Sequence, residues 1–255
     1  MLISVVTTTY NTNPSVLNRT WSSIKSQSYT DWEWIVWDDS TNTNTYDQLN
    51  DICGNKKYEV EAHKSIEPCG IIGKVKRQAF MVSNGDILVE LDHDDELTTD
   101  ALQEIHDAFL DPEVGFAYSD WCEPYSDGTS KKYSQGWGMG FGTEYWSDQF
   151  GVWVMKCPPI NSVTLSHIVG IPNHVRAWRA STYRTLNGHD SRLCVADDYD
   201  LVIRTAAMTK TKYIPKMIYK QHATQESASN ARNALIQQLV PQIRSKYPLH
   251  VYGAN

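Results

Sequence analysis

Apolar positions recur with two different periods along residues 1–120, and each change of period marks a boundary between elements. Residues 2–7 form a mostly apolar run that predicts a buried first strand, followed by the polar loop Thr8-Thr9-Tyr10-Asn11. Asn13 then Pro14 predicts a helix start, with asparagine as the cap and proline at the first helical position. Leu17, Trp21 and Ile24 follow at helical spacing. A second strand is predicted over 32–37, ending in Asp38-Asp39-Ser40, then a helix over 45–52 with Tyr46, Leu49 and Ile52 on one face. A weaker strand follows over 58–63. Gly70 to Gly73 opens a helix over 74–83 with Val75, Ala79 and Val82 turned inward. The run 87–91 predicts a strand covered on both faces, and a helix over about 100–110 is capped by Thr99.

Strands alternating with helices of about ten residues imply an α/β fold with a mostly parallel central sheet flanked by helices and right-handed crossovers. Parallel strands line up their carboxyl-end loops along one edge. Thr8-Thr9-Tyr10, Asp38-Asp39 and Asp92-His93-Asp94 are therefore expected in one cleft, although far apart in sequence.

The texture changes after Phe116-Ala117-Tyr118. Residues 121–153 are dense in Trp, Tyr and Gly, with Gly136-Trp137-Gly138-Met139-Gly140-Phe141-Gly142 at the centre. Such a stretch either offers aromatic faces to sugar rings or packs as a small core of its own. Beyond it the pattern predicts a strand over 174–179, a short helix over 181–186 stopped at Gly188, and a helix over 197–207 with acids at its amino end. A last strand over 213–220 is interrupted by Pro215. Leu235, Leu239 and Ile243 make an apolar stripe, kinked or ended by Pro241, that serves core packing or a homodimer contact.

The candidate chemistry is concentrated after the strand at 87–91. Asp92 and Asp94 point to the same side if the extended backbone continues through them. Neighbouring carboxylates repel and raise each other's pKa unless a cation sits between them. An all-oxygen ligand set favours Mn2+ or Mg2+, which leaves room for phosphate oxygens. The plain alternative is a turn, because aspartate is common after strands as a cap or tight-turn residue.

Composition narrows the field further. A 41% hydrophobic, 21% charged chain of 255 residues is an ordinary globular protein able to bury a core. A formal net charge of -7, with no basic stripe, argues against nucleic-acid binding. Five cysteines without a Cys-x-x-Cys pair indicate neither a disulfide framework nor a zinc knuckle. No apolar run approaches a membrane span of about 20 residues, so no integral membrane segment is expected. With the first strand beginning at Leu2 and no signal peptide apparent, a cytoplasmic location is the expectation.

Five blocks, in order, resemble the family 2 inverting glycosyltransferases of the GT-A fold, a Rossmann-like nucleotide-binding fold. They are Ile3-Ser4-Val5-Val6-Thr7-Thr8-Thr9-Tyr10-Asn11; the run from Gln27-Ser28-Tyr29 to Trp37-Asp38-Asp39-Ser40; Gly85-Asp86 through Asp92-His93-Asp94-Asp95; Asn187-Gly188-His189-Asp190; and Asp197-Asp198-Tyr199-Asp200-Leu201-Val202-Ile203-Arg204. The resemblance covers about residues 2–222. It implies one GT-A domain over 1–255, with a nucleotide-sugar-binding half (1–120), an acceptor-binding half (121–222) and a C-terminal helical extension (223–255).

By the same resemblance Thr8, Thr9 and Tyr10 contact the base and ribose, and Asp39 accepts from a uracil-type N–H. Lys74 and Arg77 meet the diphosphate; the second position of the family's Arg-Asn pair is Gln78 here. Asp92 and His93 border the ribose, Asp94 and His222 hold the metal, and Asp198 is the general base, with Asp197 as its rival. The implied partners are a nucleotide-sugar donor, UDP-linked first among the alternatives, and a glycan or other hydroxyl acceptor. His174 is a further histidine near these blocks, without an assigned role. Two other classes compete. One is a metal-dependent phosphohydrolase with an aspartyl nucleophile, which prefers its Asp-X-Asp on the first strand. The other is a non-catalytic sugar-nucleotide-binding protein.

Overall fold

The computed structural model describes residues 1–54, 57–133, 136–222 and 232–247. The first half supplies β1 (Ile3–Thr9), β2 (Trp32–Asp38), β3 (Val60–Lys64) and β4 (Ile87–Glu90), with helices α1 (Pro14–Lys25), α2 (Asn44–Cys53) and α3 (Ile72–Val82) between them. Then come β5 (Glu96–Leu97), α4 (Ala101–Ala108), β6 (Val114–Cys122), β7 (Thr143–Ser147) and β8 (Val152–Lys156). The rest is α5 (Ser162–His167), β9 (Arg176–Arg179), α6 (Ala180–Thr185), α7 (Asp197–Met208), β10 (Lys210–Lys220) and α8 (Asn233–Lys246). The expected extension over 223–255 is described only at 232–247; the remainder of it lies outside the described residues.

All ten strands form one sheet, ordered β3-β2-β1-β4-β9-β6-β10-β5 along its main path. β1 pairs in parallel with β2 and β4, and β2 with β3. β10 runs parallel to β6, with register shifts around Pro215, where the missing N–H breaks the ladder. The parallel expectation thus holds for these strands; β5, β7, β8 and β9 pair antiparallel, and β9 is the one that bears on the site. β9 enters antiparallel between β4 and β6, pairing Glu90 with Arg176 and Ile87 with Arg179. An antiparallel strand starts where its parallel neighbour ends. The first residues of β9 therefore lie at the carboxyl edge of β4.

The apolar periods seen in the sequence are the buried faces. On α1, Leu17, Trp21 and Ile24 are buried, and Asn13 caps the helix by accepting from the Ser15 N–H at 2.9 Å. Trp21 stacks on Trp34 of β2 with ring centroids 5.0 Å apart, and the Trp34 indole donates to Thr7 Oγ1. Burying such large rings with their polar edge paired is a main source of cohesion between α1 and the sheet. Gly73 lets α3 touch the 190–193 loop: a Cβ there would lie 2.2 Å from the Asp190 carbonyl oxygen. Any side chain at 73 would force the helix and loop apart.

Three local expectations change. β4 stops at Glu90 and residues 92–95 turn back, the Asp95 N–H donating to the Asp92 carbonyl, so Asp92 and Asp94 do not share a strand face. On α3, Val82 is exposed while Lys76 and Phe80 are buried. Asp100 rather than Thr99 occupies the α4 cap position. Of the two alternatives at Pro241, α8 continues through it. The α8 stripe packs inward: Ile243 and Val240 are buried, and Leu239 rests on the main core. Among the described residues no helix is long and apolar enough to cross a membrane.

Candidate active site

At the β1–β2 end of the edge, the hydrogen bonds to the carboxylates come from neutral donors, and Lys64 Nζ lies 3.8 Å from Asp38 Oδ2, which has no hydrogen-bond partner among the described residues. Asp38 is fully buried and accepts from Thr9 Oγ1 at 2.8 Å and from the Ser40 N–H and hydroxyl. Asp39 turns the other way and accepts from the Cys69 N–H at 3.1 Å and the Gly70 N–H at 2.9 Å. Thr9 is thereby tied down and buried, Thr8 is half-buried, and Tyr10 projects with 52% of its surface exposed. A flat exposed ring beside an ordered loop is suited to stacking on a nucleobase.

At the β4–β9–α7 end, the carboxylates are satisfied by cations. Glu90 is buried between Lys76 of α3 and Arg176 of β9, whose Nε lies 3.0 Å from Glu90 Oε2. Arg176 also reaches Asp198 through Nη1 at 2.5 Å, and its Nη2 lies 3.1 Å from His174 Nε2. His174 Nε2 is 3.2 Å from Asp92 Oδ2, and Lys76 Nζ is 3.9 Å from Asp92 Oδ1. Asp92 and Asp198 thus belong to one connected cluster. Its two carboxylates keep about a third of their side-chain surface open, while Arg176 and Glu90 are sealed beneath.

The pKa shifts follow from this arrangement. Burial penalises the Asp198 carboxylate, but Arg176 and Lys76 outweigh it and hold the group down at about 2. Glu90 is likewise lowered despite its burial, by Arg176 and Lys76, and Asp92 is held well below the usual carboxylate range, chiefly by Lys76 and His174. Asp197 is the opposite case. Burial, with Asp198 and Glu90 as like charges, pushes it up to about 7 against the pull of Lys76. Its Oδ2 has no hydrogen-bond partner among the described residues, and the nearest ring nitrogen, His189 Nε2, is 3.8 Å away. Burial also holds His189 neutral, at about 3.

The turn at 92–95 gathers the metal candidates. Asp95 is buried, accepts from the Tyr219 hydroxyl and the His222 N–H at 2.7 Å each, and is pushed well above the usual range by burial and by Asp94 and Asp92. Asp92, Asp95 and His174 offer donor atoms all within 4.8 Å of one another. Asp94 and His93 are half-buried on the same turn, which is stapled to α1: the Asp94 carbonyl accepts from Arg19 and the His93 carbonyl from Thr20. The His222 ring pairs with Glu96 at 2.6 Å.

Of the residues singled out in the sequence, the structure brings Asp92, His93, Asp94 and Asp198 to this end, and Thr8, Thr9, Tyr10 and Asp39 to the adjoining strand ends. Lys74 is exposed, and Arg77 donates to Asn187 and lines a separate polar cavity of about 270 Å³ with Asp190 and Arg204. The α3 cation that reaches Asp92 is Lys76. A signal for it existed: Phe80, one helical turn beyond, shares its face, and Gly73 lies one turn before. The sequence carries no signal for Glu90 and Arg176 and no role for His174, because their contacts depend on β9 running antiparallel.

The aromatic segment divides between its two readings. Trp121 is buried and meets Trp137 edge-on at 5.7 Å, and Trp137 meets Tyr133, so these rings pack on each other. The β7–β8 hairpin instead presents Tyr145 and Trp146 to solvent. Asp120 of β6 anchors it, accepting from Tyr145 and Tyr213 hydroxyls and from the Cys157 N–H.

Comparisons with known proteins agree with this layout. Residues 4–164 match the family described as "Glycosyl transferase family 2". Over 243 residues the chain is 24% identical to the uncharacterised protein y4gI of Sinorhizobium fredii, covering 91% of this chain and 24% of that one. It is 28% identical over 120 residues to the O-antigen biosynthesis protein RfbC of Myxococcus xanthus, covering 47% and 9%. The chain thus spans a quarter or less of these curated relatives. Among solved structures, it resembles S. aureus TarS 1-349 in complex with UDP-GlcNAc, with a TM-score of 0.72 at 15% identity, over 98% of this chain and 68% of that one. It also resembles the mannosyltransferase PcManGT of Pyrobaculum calidifontis in complex with GDP-Man and Mn2+, with a TM-score of 0.63 at 15% identity, over 97% and 69%. At such identities the likeness establishes the shared GT-A fold.

Proposed function

The chain belongs to glycosyl transferase family 2, and from that premise we propose that it moves a sugar from a UDP-linked donor to a hydroxyl acceptor, with inversion at the anomeric carbon. One observation carries this reading. Asp92 and Asp198, from different halves of the chain, are linked through Arg176 and His174 in one cluster that opens to solvent only at those carboxylates.

The roles follow from exposure and charge. The nucleoside end belongs to Tyr10, Thr8 and Asp39, with Thr9 as their support, and the ribose to Asp92 and His93. Asp198 serves as general base because it reaches the cleft, whereas the side chain of its rival Asp197 is 5% exposed and has no path to an acceptor. A carboxylate at about 2 is ionised throughout the neutral range. Its low basicity suffices because the acceptor hydroxyl becomes strongly acidic as it bonds to an oxocarbenium-like carbon. The UDP preference is supported by TarS, solved with UDP-GlcNAc. A glycan acceptor suits the exposed Trp146 and Tyr145 rings.

A divalent ion, Mn2+ or Mg2+, fits the residues present. Asp95 is buried with like charges beside it, the situation a cation relieves, and Asp92, Asp95 and His174 would hold the ion. Asp94 shares their turn. His222, which resemblance assigned to the metal together with Asp94, contributes its N–H to Asp95 and its ring to Glu96. When bound, the ion neutralises the leaving nucleoside diphosphate.

The test pairs binding with turnover. UDP-sugars with Mn2+ should raise the melting temperature, since a ligand that binds only the folded state stabilises it. Asp198→Asn should keep that stabilisation and lower transfer by about 10²–10⁴-fold. Normal turnover in this variant removes Asp198 as the base. Stabilisation without any nucleotide release from the wild type favours the non-catalytic binding protein, and phosphate release from simple phosphoesters favours the phosphohydrolase.

A further inference from the structure

The buried half of the ion cluster is larger than charge neutralisation of Glu90 requires. Lys76 alone already contacts Glu90, yet Arg176 is placed against the same carboxylate from the opposite strand. Two cations face three carboxylates, Glu90, Asp92 and Asp198, and Arg176 alone is bonded to the one assigned as base. Its planar fork points at two carboxylates at once. Both terminal nitrogens carry the hydrogen bonds: Nη2 donates to Glu90 Oε1 at 3.3 Å and lies 3.1 Å from His174 Nε2, and Nη1 donates to Asp198 at 2.5 Å, while Nε is ion-paired with Glu90 Oε2 at 3.0 Å without forming a hydrogen bond. Lysine, with one nitrogen, cannot hold two carboxylates in fixed directions at once.

Asp198 is correspondingly fixed at both oxygens: Oδ2 by Arg176, Oδ1 by the Tyr199 N–H at 2.7 Å. The lone pairs left over are directed by these two bonds. Glu90 sits opposite Arg176 in the β4–β9 register, so the sheet itself sets the guanidinium.

We propose that Arg176 is a positioning residue for the transfer reaction: braced by Glu90, it orients the Asp198 carboxylate toward the acceptor hydroxyl while lying too deep to touch either substrate. This rests on the transferase reading above. It adds that the productive pose of the base is set by an antiparallel strand on the donor side, so alignment of the base depends on Glu90, a residue that touches neither Asp198 nor the cleft.

The test uses Arg176→Lys, which keeps the buried charge and removes the fork. Transfer kcat should fall at least tenfold with donor KM within twofold of wild type. The acidic limb of the kcat profile should move up, because the lysine keeps a positive charge at 176 but loses the directed Nη1 bond to Asp198 Oδ2, while Lys76, Glu90, Asp197 and His189 still face it. Glu90→Gln, which makes no contact with Asp198 and acts on it through Arg176 and, more weakly, Lys76, should lower kcat in the same direction and by less. Unchanged kcat and an unmoved acidic limb in Arg176→Lys overturn the proposal. So does equal loss in kcat and donor affinity, which marks a donor-binding or merely structural residue. If Arg176→Lys does not fold, Glu90→Gln decides: wild-type kcat overturns the proposal, and a selective kcat loss supports it. Failure of the transferase reading looks different, because the wild type itself would then neither bind UDP-sugar nor release UDP.

Discussion

Two stretches of the same sheet edge hold acidic clusters by opposite means. At β1–β2, Asp38 and Asp39 are hydrogen-bonded by hydroxyls and backbone N–H groups, with a single cation, Lys64, 3.8 Å from Asp38 and none paired with Asp39 among the described residues. At β4–β9, Glu90, Asp92 and Asp198 are held by Lys76 and Arg176. Neutral donors fix a carboxylate in place and leave its charge to be felt by a ligand. Buried cations cancel charge, and each partner removed leaves the other exposed to the low-dielectric interior. The first end is thus suited to recognising a neutral base, and the second to managing charge that appears and moves during a reaction.

That contrast can be broken by removing one partner at each end. Lys76→Met leaves Glu90 with Arg176 only and should destabilise the protein by about 3–5 kcal/mol, read by urea unfolding. A loss below 1 kcal/mol would mean that Lys76 adds little to the cluster. Asp197→Asn sharpens the picture through pH. Since the Asp197 carboxyl titrates at about 7 in the folded protein against 3.8 ordinarily, the folded state keeps a proton that the unfolded chain gives up between those values. The contribution of Asp197 to stability should therefore fall as pH rises from about 4 to 7 and level off above, opposite in sign to that of the buried His189. Asparagine does not titrate, so the variant should gain on the wild type over that window, by at most about 4 kcal/mol. Parallel melting curves at pH 5 and 8 check it, and an equal gap at both values refutes the shifted carboxyl. At the neutral end, Asp39→Ala strands two backbone N–H groups and should cost about 1–3 kcal/mol, with loss of UDP binding. Salt should not alter that cost, whereas it should alter binding at the ionic end.

The same contrast explains which residues could be read from sequence. Asp38-Asp39 and Asp92-His93-Asp94 announce themselves locally, because each follows an apolar run that had to be a strand. α1, with Asn13-Pro14 and its Leu17-Trp21-Ile24 face, was legible for the same reason: cap, proline and period all lie within twelve residues. The cations were not legible. Lys76 became a buried partner through a shift in the buried face of α3, from Val82 toward Phe80. Arg176 and His174 required knowing that β9 runs against β4, and nothing within residues 174–179 records strand direction. An aspartate run after a strand permits either an extended continuation or a turn, and the bonds that decide for the turn at 92–95 come from Arg19, Thr20 and Tyr219, far away in the chain.

The antiparallel entry of β9 carries a consequence for how this chain can change over generations. Side chains on a strand alternate between faces, so shifting β9 by one residue against β4 would seat Ala177 across from Glu90 and turn the guanidinium to the opposite side of the sheet. Length changes in the 168–173 segment are therefore harmless only if the loop absorbs them; where they propagate into the strand, a single lost or gained codon would undo the pairing of Arg176 with Glu90 and Asp198 without altering any of the three residues.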